Sequence, residues 1–132
     1  MARRRGARKV ALDILYEQEM GAAPLEELVD RFRSDPSFEY AETLVQGVTE
    51  HREDVDRLIS GYAQGWKLER MPVIDRILLR LAIFEILFLP GFPAPVAINE
   101  AVELAKRYST DDSSRFINGV LGRIVEREST RV

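Results

Sequence analysis

Cysteine is absent from the 132 residues, and His51 is the single histidine. Without cysteine the chain forms no disulfide and offers no thiolate nucleophile or metal ligand. One histidine in a polar stretch, with no further histidine at ligand spacing, does not predict a transition-metal site, and we expect His51 to be solvated. The sequence therefore predicts neither a metal nor any other cofactor.

Phosphate-loop glycines and a long uncharged apolar run are also lacking. Neither a Walker pattern nor Gly-x-Gly-x-x-Gly occurs. The most apolar segment, 72–89, contains the charged residues Asp75, Arg76, Arg80 and Glu85, which predicts a buried core helix instead of a membrane span. No apolar stretch typical of a secretory signal follows the N-terminus. These absences favour a cytoplasmic binding protein over an enzyme or a membrane protein.

What the sequence does contain is helical periodicity. Apolar residues make up 45% and charged residues 31%, which is typical of a globular chain, and no stretch alternates with the two-residue period of a strand. The pattern predicts an all-α fold of seven helices in one compact domain, 1–132, with two packed sub-bundles, 1–66 and 67–128, as a division within it. Around residues 49–54 it allows either two helices or one long bent helix.

Positive charge is concentrated at one end of the chain. The first ten residues contain Arg3, Arg4, Arg5, Arg8 and Lys9 and no acid. The remaining 14 Lys and Arg face 22 Asp and Glu, so the rest of the chain has a net charge of about -8, against -3 for the whole. Such a local positive field predicts contact with a polyanion, because cations that neutralise phosphates release condensed counterions. The alternative is a solvated basic tail.

The basic residues continue into an amphipathic helix that carries an aromatic side chain. At about 100° per residue, Arg5, Lys9 and Tyr16 fall on one flank, with Arg8 between that flank and the apolar face. An aromatic ring can stack on an unpaired base while neighbouring cations bind its phosphates. Alternatively, Tyr16 is a boundary residue that buries its ring and keeps its hydroxyl in water.

Five strings in this order resemble the NusB family of bacterial transcription antitermination factors. They are RRRGARKVALDILY (3–16), LVQGV (44–48), VIDRILLRLA (73–82, followed by Phe84 and Glu85), INEAVELAK (98–106) and DSSRFINGVL (112–121). The resemblance extends from Arg3 to about Val125. The last two strings are the most specific, whereas the arginine run alone would be a weak signal.

The resemblance implies a fold, a function and partners. NusB proteins are all-helical, consist of two small helical bundles, and use neither a cofactor nor a reaction. They bind the boxA element of ribosomal RNA leader transcripts together with the ribosomal protein NusE, which helps RNA polymerase to read through terminators in ribosomal RNA operons. Some members form homodimers. A protein-only helical adaptor without direct RNA contact is the alternative function.

The resemblance also implies site residues. Lys9 is basic where many relatives are not, Phe116 has the alternative of a core position beside Val120, and Arg76 and Arg80 are expected to be exposed. We expect Asp75→Arg to weaken NusE binding and to leave the fold intact. The RNA-binding set is Arg3, Arg4, Arg5, Arg8, Lys9, Tyr16, Asp112, Ser113 and Phe116, and the NusE-binding set is Glu69, Asp75, Arg76 and Arg80.

Overall fold

The computed structural model describes the backbone of residues 2–128 and the side chains of residues 4–128. This part of the chain folds into seven α-helices and one short 3-10 helix, Leu68–Arg70, without a strand. The all-α prediction is therefore confirmed. The helices are α1 (Ala2–Glu19), α2 (Leu25–Asp30), α3 (Phe38–Glu50), α4 (Arg52–Tyr62), α5 (Val73–Phe88), α6 (Ala94–Tyr108) and α7 (Asp111–Glu128).

The joint around residues 49–54 is a break between two helices, and it is shorter than the polar stretch suggested. His51 alone separates α3 from α4. Its imidazole was expected to be solvated but is half-buried. Its ring stacks at a centroid distance of 4.0 Å on Phe88 and 6.0 Å on Phe84. His51 therefore holds the α3–α4 joint against α5.

The connection between α5 and α6 contains Pro90 and Pro93, and α6 begins before the third nearby proline, Pro95. Pro95 lies in the first turn of α6, which begins at Ala94. A helix tolerates proline there because the missing N–H would have no partner within the helix. The next break is only two residues long: Thr110 Oγ1 accepts a hydrogen bond of 2.9 Å from the N–H of Ser113 and so caps α7.

Helix α5 is the centre of the molecule. Its residues are apolar on nearly all sides, and it packs against α1, α3, α4, α6 and α7. Gly47 on α3 allows the closest approach, since a Cβ at this position would lie 2.1 Å from the ring of Phe84. The charged residues of α5 must therefore find partners inside the protein.

One buried hydrophobic cluster extends from Ala7 to Ile124 and includes residues of all seven helices. It contains residues from both of the predicted sub-bundles. The boundary between 1–66 and 67–128 lies in the connection that precedes α5, and the division into two sub-bundles stays a prediction.

Candidate nucleic-acid interface

The first turns of α1 present two exposed arginines. The guanidinium carbon of Arg4 lies 4.9 Å from the ring centroid of Tyr40 and 5.6 Å from that of Phe92. Arg4 has no carboxylate partner among the described side chains, so its charge is not neutralised within the part of the protein that the structure shows. The side chain of Arg3 lies outside the described residues.

Two other cations of α1 are paired at the surface. Arg5 donates to both carboxylate oxygens of Glu100 on α6, at 3.1 and 3.0 Å, while its side chain stays 65% exposed. The ammonium of Lys9 lies 2.7 Å from both oxygens of Asp13, one turn along α1. Exposed ion pairs of this kind contribute little stability, so a phosphate can compete for either cation.

Arg8 contradicts the predicted RNA contact. Its side chain is 5% exposed and makes three hydrogen bonds of 2.8 to 3.1 Å to the carboxylate of Glu85, which is 1% exposed. The hydroxyl of Tyr40 also donates to Glu85. Burial, this hydrogen bond and the charge of Glu85 raise the pKa of Tyr40, so the phenol remains a donor. Arg8 joins α1 to α5 and is not available to a ligand.

An open groove of about 610 Å³ runs between α1 and α6. The predicted RNA-binding residues line only the α1 side of this groove. On the α6 side, the adjacent cations Lys106 and Arg107, followed directly by the 38% exposed Tyr108, are a sequence signal that those predictions did not include. The lining residues are Arg5, Gly6, Lys9, Asn99, Glu100, Glu103, Leu104, Lys106, Arg107 and Tyr108, of which four are cations and two are acids.

Tyr16 is 40% exposed, so its ring is accessible from solvent. It lies seven residues beyond Lys9, which is about 10 Å along the helix axis. Leu12, between them on the same flank, is buried. The flank predicted to carry both cations and Tyr16 is therefore divided by the buried Leu12 into two accessible patches, one at Lys9 and one at Tyr16. A ligand must be extended to contact both patches.

The residues predicted at the start of α7 differ in accessibility. Asp112 is exposed, with an ion-pair distance of 3.6 Å to Arg115. Ser113 was predicted to bind RNA, but it is buried and its hydroxyl donates to Asp75 at 2.7 Å. Its hydroxyl therefore positions α7 and is not free for a ligand. Phe116 is half-buried, and its ring centroid lies 5.9 Å from that of Trp66.

Trp66 forms one side of a hollow of about 250 Å³ beside Phe116. The indole is 54% exposed and lies in the connection between α4 and the 3-10 helix. Trp66 is not among the predicted site residues, although it is the single tryptophan of the sequence and lies in a polar connection, which could have indicated it. The other lining residues are Met71, Pro72, Asp75, Thr110, Asp112 and Ser113.

The predicted NusE-binding set is mostly internal. Glu69 is exposed, as expected. Asp75, however, is 2% exposed and accepts hydrogen bonds from the hydroxyls of Ser109 and Ser113 at 2.8 and 2.7 Å. Asp75 is therefore not the surface residue that the Asp75→Arg expectation requires, and we now expect that substitution to destabilise the fold, because it would bury a guanidinium against two hydroxyl donors.

Arg76 and Arg80 are paired inside the protein and not exposed as predicted. Arg80 is 5% exposed and binds Asp56 at 2.8 and 3.1 Å and Glu19 at 2.9 Å. Arg76 is 12% exposed and donates to Glu19 at 3.5 Å and to the carbonyl of Leu68 at 3.1 Å.

Glu19 accepts hydrogen bonds from both arginines and offsets the repulsion between their charges. Burial alone would raise the pKa of Glu19, but the hydrogen bond and charge of Arg80, with the charges of Arg52 and Arg76, outweigh it and lower this pKa. These charges join α1, α4 and α5 to one another. They are therefore occupied within the protein.

Other kinds of site are not found in the described part of the chain. Among residues 4–128, no group of three or more His, Asp or Glu is placed to hold a metal ion. None of the described helices is both long enough and apolar enough to cross a membrane.

Comparison with known proteins agrees with this architecture. A family model described as the NusB family matches residues 5–126. The transcription antitermination protein NusB of Kineococcus radiotolerans is 48% identical over 133 residues, covering 98% of each chain. A solved structure of T. maritima NusB superposes with a TM-score of 0.83 at 36% identity, covering 98% of this chain and 97% of that one. A structure of the antitermination factors NusB and NusE in complex with dsRNA gives 0.82 at 28% identity, with 96% and 98% covered. The chain therefore belongs to the NusB family.

Proposed function

We propose that this protein acts in the cytoplasm as a transcription antitermination factor. It binds boxA-type single-stranded leader RNA together with the ribosomal protein NusE, and the complex helps RNA polymerase to read through terminators in ribosomal RNA operons. The curated relative at 48% identity bears the name of an antitermination protein, and a similar solved structure combines NusB, NusE and RNA. The protein is thus a binding protein and not an enzyme.

The observation that carries the RNA-binding proposal is the accessible cationic edge of α1. Arg4 and Arg5 are exposed, and Lys9 is partly exposed at the rim of the α1–α6 groove. The whole chain has a net charge of -3, so this edge is a local exception on an acidic protein. Polyanion binding at such an edge releases counterions, which supplies a large part of nucleic-acid affinity.

Base recognition requires groups other than the cations, because phosphate contacts position a strand without reading its sequence. Tyr16 and Phe116 offer rings to unpaired bases, and the exposed carboxylate of Asp112 can accept hydrogen bonds from base amino groups. A-form duplex presents its base edges poorly to side chains, which favours a single strand. Since one similar structure contains dsRNA, both forms belong in the test.

The test is a salt titration with labelled boxA leader RNA, single-stranded and annealed to its complement, between about 50 and about 200 mM salt. We expect the single strand to bind more tightly. The double variant Arg4→Ala with Arg5→Ala should weaken binding about tenfold and reduce the slope of log affinity against log salt by about 1.4, or 0.7 for each lost phosphate contact. Arg57→Ala, which removes an exposed cation of α4, is the matched control.

Two results would reject direct RNA binding through this edge. One is an affinity of the unmodified protein that does not depend on ionic strength. The other is equal affinity of the Arg4→Ala, Arg5→Ala double variant and the Arg57→Ala control. If NusE still binds in that case, the protein-only helical adaptor becomes the better description.

For NusE, we propose a contact centred on the 3-10 helix Leu68–Arg70. Glu69 is the one residue of the NusE set that is exposed, whereas the other three are held inside the protein. Glu69→Lys should weaken NusE binding measured by calorimetry, because it reverses an accessible charge. Glu53→Lys, the same change at an exposed position of α4, should have no effect; equal NusE affinity of both variants would remove Glu69 from the interface.

A further inference from the structure

We propose that Tyr108, at the end of α6, is a base-stacking site in the groove between α1 and α6. This inference rests on the proposed RNA binding and adds a third ring to the rings of Tyr16 and Phe116. The ligand class is a single unpaired nucleotide of the bound strand, with its base on the Tyr108 ring and its phosphates near the surrounding cations.

The ring is accessible and lies within cation–π distance of cations from two helices. Tyr108 is 38% exposed. The ammonium of Lys9 on α1 lies 4.9 Å from the ring centroid, and the guanidinium carbon of Arg107 lies 6.0 Å from it. These cation–π contacts fix the orientation of the ring before a ligand arrives. An ordered aromatic face beside two positive charges has the composition of single-strand binding sites.

The charges in the groove leave room for phosphate. Glu100 is occupied by Arg5, and Glu103 lies 3.7 Å from Lys106. Arg107 has no carboxylate partner among the described residues, and its guanidinium lies near the Tyr108 ring. The groove volume of about 610 Å³ is within the range of small-ligand pockets. Lys9, the cation nearest to the ring, is paired with Asp13, so Arg107 is the least neutralised cation beside the ring.

Tyr108 also connects the two regions that carry the predicted RNA-binding residues. Lys9 places it against α1, and Ser109 immediately after it bonds to Asp75 and to Ser113 at the start of α7. The backbone around the ring is thus anchored on both sides. A strand that contacts both the α1 edge and Asp112 can therefore reach the exposed ring of Tyr108.

The experiment compares Tyr108→Leu with Tyr108→Phe in binding to labelled single-stranded boxA RNA. Leucine keeps the apolar bulk but cannot stack, so we expect affinity to fall about tenfold. Phenylalanine keeps the ring and should bind within about twofold of the unmodified protein, since stacking does not require the hydroxyl. The salt slope of Tyr108→Leu should stay unchanged, whereas Arg107→Ala should lower it by about 0.7.

A second measurement does not depend on a variant that might unfold. RNAs that carry 4-thiouridine at successive positions are irradiated with the unmodified protein, and the crosslinked peptide is identified by mass spectrometry. We expect one position to crosslink at Tyr108.

The outcomes separate this inference from the proposed function. If the unmodified protein does not bind boxA RNA, the proposed function fails, and this inference fails with it. If Arg4→Ala with Arg5→Ala weakens binding but Tyr108→Leu does not, and no crosslink forms at Tyr108, only the stacking site is overturned. Equal losses in Tyr108→Phe and Tyr108→Leu would also overturn it, because they would indicate a role of the hydroxyl.

Discussion

Arg5 and Arg8 lie one turn apart on α1, yet they belong to different parts of the molecule. Arg5 is 65% exposed and forms an ion pair with Glu100 at the rim of the groove. Arg8 is 5% exposed and forms an ion pair with Glu85 in the helical core. The difference arises from the packing partner: α5 presents a carboxylate to the inner edge of α1, and the outer edge faces solvent.

The same contrast separates the α1 edge from the charged residues of α5. Asp75, Arg76 and Arg80 are occupied by α1, α4 and the α6–α7 connection. The α1 edge is exposed and only loosely paired. Charges that bridge buried helices fix the relative positions of those helices, whereas exposed charges are available to partners. Charge alone therefore does not identify a binding residue in this protein.

The largest effect is expected when the inner member of the arginine pair is removed. Arg8→Met leaves the carboxylate of Glu85 buried without its cation, which should lower the free energy of unfolding by about 3–5 kcal/mol. Arg5→Met makes the same change at the exposed position and should leave the urea midpoint nearly unchanged. Urea unfolding of both variants, followed by circular dichroism, measures the difference.

A double variant shows whether the cost comes from the unpaired charge. Arg8→Met combined with Glu85→Gln removes both charges and keeps an acceptor for the Tyr40 hydroxyl, so it should be more stable than Arg8→Met alone. The comparison between the two edges of α1 would break down if Arg8→Met were as stable as Arg5→Met.

An intermediate effect is expected at Asp75, which the resemblance assigned to the NusE-binding set and which is buried in the structure. Asp75→Ala removes the acceptor of two hydroxyl hydrogen bonds and should cost about 2–3 kcal/mol of unfolding free energy. Asp75→Asn keeps one oxygen and should cost less. Urea midpoints of both variants test this, with Glu69→Gln as the exposed control. Equal midpoints of all three variants would show that the hydrogen bonds of Asp75 do not contribute to stability.

These residues also show how far the sequence leads. The helices could be predicted because apolar spacing is local, and the capping role of the segment before α7 follows from adjacent residues. The pairs Arg8–Glu85 and Arg80–Asp56 could not, because their partners are 77 and 24 residues apart and meet only after packing. Projection of α1 alone placed Arg8 between flank and core, and it cannot reveal which helix covers that position.

The smallest effect concerns the outer edge itself and sharpens the comparison from the other side. Glu100→Gln removes the carboxylate that holds Arg5 and one negative charge of the groove. Because exposed pairs contribute little, the urea midpoint should hardly change, and the affinity for single-stranded boxA RNA should rise about two- to fivefold. Glu53→Gln removes an equal charge from α4, at a position that does not line the groove, and serves as the control in the same fluorescence titration. If both variants bind RNA equally, Arg5 does not gain a phosphate contact when Glu100 is neutralised. Arg4 would then be the only one of the two exposed arginines that is free to contact phosphate.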